Sequence, residues 1–140
     1  MRLDLKLLWK SLQNEHMRQG TVLGKRILLA DDQTGVRQAI KYLLEIDEHA
    51  VTEARDGKEA FELFRAGHFD LVITDYAMPE MAGNDLAAKI KRLTPAQPII
   101  MITAYTREIV DFADLVDAVL NKPFAFQDLR DTIARLLLAA

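Results

Sequence analysis

Four short apolar runs in this 140-residue chain each end in polar groups suited to phosphate or metal chemistry. Ile27-Leu28-Leu29-Ala30 leads into Asp31 and Asp32, and Leu71-Val72-Ile73-Thr74 leads into Asp75. Ile99-Ile100-Met101-Ile102 leads into Thr103, and Ala118-Val119-Leu120-Asn121 leads into Lys122. Uninterrupted apolar runs of about four to eight residues read as strands covered on both faces, the habit of parallel sheets. Ligands of such sheets bind beyond the carboxyl ends of the strands. If these runs are neighbouring parallel strands, three carboxylates, a hydroxyl and an ammonium meet on one patch. Carboxylates about 4 Å apart repel by roughly 1 kcal/mol in water and severalfold more at a protein surface. A hard divalent cation with oxygen ligands relieves that repulsion, and Mg²⁺ commonly completes its shell with waters and phosphate oxygens. No His or Cys accompanies the acids, which disfavours zinc. Any one of these residues alone reads more simply: Asp31 or Asp32 as a helix cap, Thr103 as a cap, Lys122 as a solvated cation. Their common placement at strand ends favours the shared site. A carboxylate so placed, Asp75, can act as a nucleophile and form an aspartyl phosphate. Thr103 can donate a hydrogen bond to a phosphoryl oxygen, and Lys122 can pair with the same group as a point charge.

The elements that must position these groups follow from the pattern around them. Alternating strand and helix signals begin at Lys25 and continue to the end of the chain. Val36, Ile40, Leu43 and Leu44 have helical spacing, with Thr34 as the expected cap. A strand near residues 50–54, an Asp56-Gly57 turn and a helix through Ala60, Phe61 and Phe64 follow, with Gly67 as the stop. Further helices are expected through Leu86, Ile90 and Leu93, over roughly 107–115, and over 126–138. The prediction is therefore an α/β fold, five strands alternating with five helices that cover both faces of one parallel sheet. Residues 1–24 lie outside the alternation. Leu5, Leu8, Trp9 and Leu12 give them an amphipathic helical pattern, and Gly20 and Gly24 flank a linker. The division expected is 1–24 as helix and linker and 25–140 as the main domain.

Composition narrows the classes further. Half the residues are hydrophobic and 28% are charged, a globular balance. The net charge of −3 offers no general attraction for nucleic acid. With no cysteine there is neither a disulfide framework nor a thiolate metal site. Asp4, Lys6 and Lys10 interrupt the apolar start, unlike a secretory signal, and no run approaches the roughly 20 apolar residues of a membrane span. A soluble, cytoplasmic location is the expectation.

From Lys25 to Leu138, about four-fifths of its length, the chain resembles the receiver domain of bacterial two-component response regulators. The matching pieces are Ile-Leu-Leu-Ala-Asp-Asp at 27–32, Asp-Leu-Val-Ile-Thr-Asp-Tyr-Ala-Met-Pro-Glu-Met-Ala-Gly at 70–83, Ile-Ile-Met-Ile-Thr-Ala at 99–104 and Asn-Lys-Pro-Phe at 121–124. The resemblance implies a doubly wound, flavodoxin-like sheet of order 2-1-3-4-5. It implies that Asp75 accepts a phosphoryl group from a phosphohistidine on a histidine kinase or histidine phosphotransfer protein. Asp32, Asp75 and the backbone carbonyl of Ala77 would hold Mg²⁺, with Asp31 acting largely through water. Thr103 and Lys122 would hold the phosphoryl oxygens together with amides near Ala77 and Ala104. The peptide before Pro123 is expected to be cis, and Met78-Pro79 is expected to shape the loop after the acceptor.

Two departures fall on the face that receivers use to pass the signal on. The position three before the lysine, aromatic in many receivers, is Val119, and the interval from Thr103 to Lys122 is shorter than usual. A truncated fourth helix and an altered output switch are expected. Tyr105, two positions after Thr103, reads equally well as a shield for the phosphoryl group or as surface packing. The N-terminal helix and the face of helix 4, strand 5 and helix 5 are candidates for homodimer contact. No helix-turn-helix pattern follows the last helix, so a stand-alone or excised receiver is expected, with no DNA contact of its own. Two other classes remain for comparison. A receiver-like interaction module working without phosphate would not need the full acidic and cationic set. A phosphohydrolase of the haloacid-dehalogenase type would carry Asp-x-Asp on its first strand, where Asp31-Asp32-Gln33 stands instead.

Overall fold

The apolar runs become strands because their alternate residues face two different layers of helices. A computed structural model describes residues 5–6, 21–104 and 113–138. Five parallel strands, β1 (Arg26–Ala30), β2 (Ala50–Ala54), β3 (Leu71–Asp75), β4 (Ile99–Thr103) and β5 (Ala118–Asn121), form one sheet of order β2-β1-β3-β4-β5. Four α-helices lie among the described residues: α1 (Thr34–Ile46), α2 (Gly57–Ala66), α3 (Gly83–Leu93) and α4 (Phe126–Leu138). Ile27 and Leu29 of β1 pack with Ile40 and Leu44 of α1 and Leu129 and Ile133 of α4. Leu28 and Ala30 point the other way, to Ala60 and Phe64 of α2 and Leu86 and Ile90 of α3. Each fully buried Leu or Ile contributes about 1.5–3 kcal/mol relative to exposure, so the two clusters dominate stability. Every residue of β3 and β4 is buried, which explains why those runs show no polar alternation in the sequence.

Local capping differs from the expectation at three points. Gln33, rather than Thr34, is the N-cap of α1, and no side chain caps that end. Thr34 is already helical, because the carboxylate of Asp31 takes the amide of Gln33 at 2.9 Å and sets the turn. Asp56 caps α2 by accepting from the Glu59 amide at 2.8 Å, so the expected Asp56-Gly57 turn is the start of that helix. Gly67 ends α2 in an extended conformation, not a left-handed one. Of the expected fourth helix over 107–115, only Ala113–Leu115 is described, as a single 3₁₀ turn, so the five-helix expectation is corrected to four α-helices among the described residues. Tyr105 lies outside the described residues, as does most of the segment expected as an N-terminal helix, of which Leu5 and Lys6 alone are described, as helical and exposed. Val22 is buried in the α1–α4 cluster and the Gly24 amide donates to Asp47 O at 3.1 Å, so the packed unit begins slightly before Lys25.

One core contact carries a pH dependence. The His49 ring is 4% exposed, and its Nδ1 accepts from the Lys25 amide at 2.9 Å. An accepting Nδ1 is unprotonated, so the ring is neutral with its proton on Nε2. Burial pushes its pKa below the ordinary imidazole value, against the pull of Asp47 and with the help of Lys25, while Asp70 opposes weakly. Below about pH 6.5 the unfolded chain then binds the extra proton first, and stability falls as pH drops. Urea unfolding between about pH 7 and pH 5 should lose up to about 1.4 kcal/mol per pH unit from this group. His49→Gln should remove that part of the slope; an unchanged slope would exclude His49 as its source.

Candidate functional site

Strand order brings the chemistry-bearing residues together. The crossover that leaves β1 runs to β2 on one side and the one that leaves β3 runs to β4 on the other, so they diverge and open a crevice beyond the strand ends. Ala30 is level with Thr74, Asp75 with Ile102, and Thr103 with Asn121, so the terminal residues of β1, β3, β4 and β5 share one edge. The Tyr76 amide donates to Ile102 O at 2.9 Å and the Lys122 amide to Thr103 O at 2.8 Å, extending the ladder past the sheet. The Lys122–Pro123 peptide is cis.

Asp31, Asp32 and Asp75 each place one carboxylate oxygen within 4.8 Å of the others. Asp31 and Asp75 are buried, whereas Asp32 is exposed. Lys122 Nζ lies 3.3 Å from Asp75 Oδ1 and 3.8 Å from Asp31 Oδ2, bridging the two buried acids. A cavity of about 260 Å³ opens over this group, lined by Asp32, Gln33, Asp75, Tyr76, Ala77, Thr103, Ala104 and Lys122. Burial raises the pKa of Asp75; Lys122 opposes this and Asp31 adds to it. Burial likewise raises Asp31, opposed by the Gln33 amide and Lys122 and reinforced by Asp32. Three carboxylates against one ammonium leave the cluster at −2 when ionised. Carboxylates at this spacing repel by about 3–4 kcal/mol per pair at an effective dielectric of 20. A divalent cation with oxygen ligands is what balances such a donor set, and the residues present fit one.

The six residues expected to hold the metal and the phosphoryl group, Asp31, Asp32, Asp75, Ala77, Thr103 and Lys122, thus lie at one edge. Val119 sits two positions inside the end of β5 at Asn121, half-buried and level with Met101. Several supporting residues were not singled out. Thr74 Oγ1 donates to Asp75 O at 3.0 Å from a fully buried position. Gln33 lines the cavity and holds Asp31 through its amide. Gly83, at the start of α3, donates its amide to Tyr76 O at 2.8 Å and packs directly on the Asp75 backbone. Arg37 reaches back from α1 to the Asp31 carbonyl. Only Gly83 carried a sequence signal, as the glycine closing the Met-Pro-Glu-Met-Ala-Gly loop.

Known proteins resemble this chain in sequence and fold. Residues 27–134 match the family model of the response regulator receiver domain. The response regulator receiver protein CpdR of Brucella abortus is 37% identical over 119 residues, 83% of this chain and 99% of its own length. The autoinducer 1 sensor kinase/phosphatase LuxN of Vibrio campbellii is 32% identical over 114 residues, covering 79% of this chain but 13% of LuxN. The response regulator TrrA of Thermotoga maritima, solved in complex with Mg²⁺ and BeF, superposes with a TM-score of 0.78 at 33% identity, over 81% of this chain and 99% of TrrA. No helix among the described residues is long and apolar enough to cross a membrane. With its sheet order, its acidic edge and these matches, the chain belongs to the response regulator receiver domains, the phosphoacceptor switches of two-component signalling.

Proposed function

We propose that Asp75 is the phosphoacceptor and that the donor is a phosphohistidine on a histidine kinase or histidine phosphotransfer protein. The observation that carries this reading is the Asp75 carboxylate, buried at a cavity edge with Lys122 Nζ 3.3 Å from its Oδ1 and two further carboxylates within 4.8 Å. In the transfer, an Asp75 oxygen attacks phosphorus in line, a P–O bond forms, and the P–N bond to the donor imidazole breaks with its electron pair leaving on nitrogen. The product is an acyl phosphate on Asp75. Lys122 then pairs with a phosphoryl oxygen, the Thr103 hydroxyl donates to another, and the amides of Ala77 and Ala104 line the same cavity. Asp32, Asp75 and the Ala77 carbonyl would hold Mg²⁺, with Asp31 acting through water. Bound there, the ion would neutralise charge that develops on the transferring group.

The chain acts on no external substrate in this reading. Its own residues assist phosphorylation and hydrolysis of Asp75, and the state of Asp75 alters partner binding or oligomerisation. In this reading residues 25–140 are the receiver, with Val22 and Gly24 packed onto it, residues 1–24 are a helix and linker that can contribute to a homodimer, and the protein works in the cytoplasm. Val119 and the short β4–β5 connection make the output differ from a switch built on a mobile aromatic.

Incubation with acetyl phosphate and Mg²⁺ should add about 80 Da, the mass of one phosphoryl group, and chelation of the metal should prevent it. A wild-type protein that gains no adduct would overturn the acceptor reading and favour an interaction module that works without phosphate.

A further inference from the structure

The junction of β1 and α1 holds a buried cation that the chemistry above does not use. Arg37 is only 8% exposed, although it stands on the first turn of a surface helix. Its Nη1 donates to the backbone carbonyl of Asp31 at 2.9 Å, in a buried contact. Its Nε donates to Glu53 Oε1 at 3.0 Å, on the next-to-last residue of β2. Burying a guanidinium is costly unless its donors are satisfied, so a side chain held this way is fixed in position. The Asp31 carboxylate is held as well, accepting from the Gln33 amide at 2.9 Å. The turn carrying both N-terminal acids is therefore pinned from two sides.

We propose that Arg37 is a positioning residue for the acidic cluster, its guanidinium fixing the peptide between Asp31 and Asp32 so that both carboxylates face one cation. The proposal rests on reading the cluster as a divalent-metal site. The Asp31 carbonyl belongs to the peptide plane that joins the two acidic residues, so the plane's tilt sets the direction of both side chains. Glu53 supplies the fixed point, because β2 is locked to β1 in register, Leu29 opposite Glu53. The linear order of the contact runs from Glu53 through the guanidinium to the carbonyl, and only a planar fork with several donors spans it. Lysine keeps the charge but offers a compact ammonium, which cannot reproduce both bonds in this geometry. Charge and positioning can therefore be separated. Loss of positive charge alone would strengthen cation binding, whereas loss of positioning weakens it.

The test is a calorimetric Mg²⁺ titration of the full chain, with melting temperatures measured in parallel. Arg37→Lys is expected to raise the Mg²⁺ dissociation constant about tenfold, the usual scale for groups that orient metal ligands. The Mg²⁺ concentration for half-maximal phosphorylation by acetyl phosphate should rise by the same factor, with adduct yield at saturating Mg²⁺ equal to wild type. Glu53→Gln leaves Arg37 in place but weakens its anchor, and should raise the constant by a smaller factor, about threefold. Unchanged Mg²⁺ affinity in both variants, whatever their melting temperatures, overturns the proposal and leaves Arg37 a strut between α1 and β2. Should Arg37→Lys fail to fold, Glu53→Gln decides by the same criterion. A wild-type chain that binds no Mg²⁺ would overturn the metal-site reading itself, a result distinct from normal binding that the variants leave untouched.

Discussion

The Asp75→Asn protein should take up no phosphoryl group from acetyl phosphate at any Mg²⁺ concentration, yet melt at a higher temperature than wild type when Mg²⁺ is absent. The first half follows from chemistry: an amide oxygen is a poor nucleophile, and no other described carboxylate combines burial with Lys122 at 3.3 Å. The second half follows from the raised pKa of Asp75, whose largest cause is burial. A folded pKa above the unfolded one means that ionised Asp75 opposes folding at neutral pH, an effect fully expressed above both values and relieved as pH falls through them. Asn is nearly isosteric, and its carbonyl oxygen can still accept from the Tyr76 amide, which now donates to Asp75 Oδ1 at 3.0 Å. Removing the charge should raise the metal-free melting temperature. Mg²⁺ should reverse the order. At one hundred times its dissociation constant, a ligand stabilises the wild type by about 2.7 kcal/mol, and the variant, lacking a ligand oxygen, gains less. Mass spectrometry and paired thermal melts check both halves. A surviving adduct, or a metal-free melting temperature below that of wild type, would contradict the assignment of Asp75 as a charge held there for function.

The strands that carry the site were readable because burial on both faces leaves an unbroken apolar run. Ile99 to Ile102 could hardly be anything else, and its end at Thr103 was visible for the same reason. Placement of Asp31, Asp75, Thr103 and Lys122 at one edge then required only that the strands be parallel, which the intervening helices dictate. The supports of those residues were a different matter. Arg37 on a helix reads as a solvated cation, since arginines are seldom buried. Its role depends on Glu53, sixteen positions away, which comes opposite only when β2 pairs with β1 in register. Gln33 carries no capping signal, and Thr34 is the better cap by propensity. Asp31 overrode that preference by taking the Gln33 amide itself. Asp56-Gly57 is ambiguous in sequence because aspartate starts turns and caps helices by the same hydrogen bond. Of the helix expected over 107–115, residues 107–112 lie outside the described residues and Ala113–Leu115 is a single 3₁₀ turn.

Gly83→Ala should destabilise the protein by about 2–3 kcal/mol, the upper range for forcing an atom into a packed site, and slow phosphorylation at the same time. In sequence this glycine only closes a loop. In the structure a Cβ there would overlap the carbonyl oxygen of Asp75 and approach Met101 Sδ at 2.9 Å and Tyr76 Cα at 3.0 Å. Two of those three neighbours are backbone, so a side-chain rotation cannot relieve the overlap. Either α3 must move outward, breaking the 2.8 Å bond from the Gly83 amide to Tyr76 O, or the Asp75–Tyr76 backbone must move. The second course displaces the Asp75 carboxylate, the proposed acceptor, and errors of about 1 Å in a catalytic group are expensive. Helix propensity pulls the other way, favouring alanine by up to about 1 kcal/mol, which sets the size of the control. A Cβ on Gly35, one residue inside α1, would meet nothing within 4 Å, so Gly35→Ala should be neutral or stabilising by up to about 1 kcal/mol. Identical substitutions at two helix starts should thus differ in sign, with melting temperatures separated by roughly 10 °C or more. Equal melting temperatures for the two variants would show that α3 can shift away from β3 freely, and that the contact between Gly83 and Asp75 does not hold the acceptor in place.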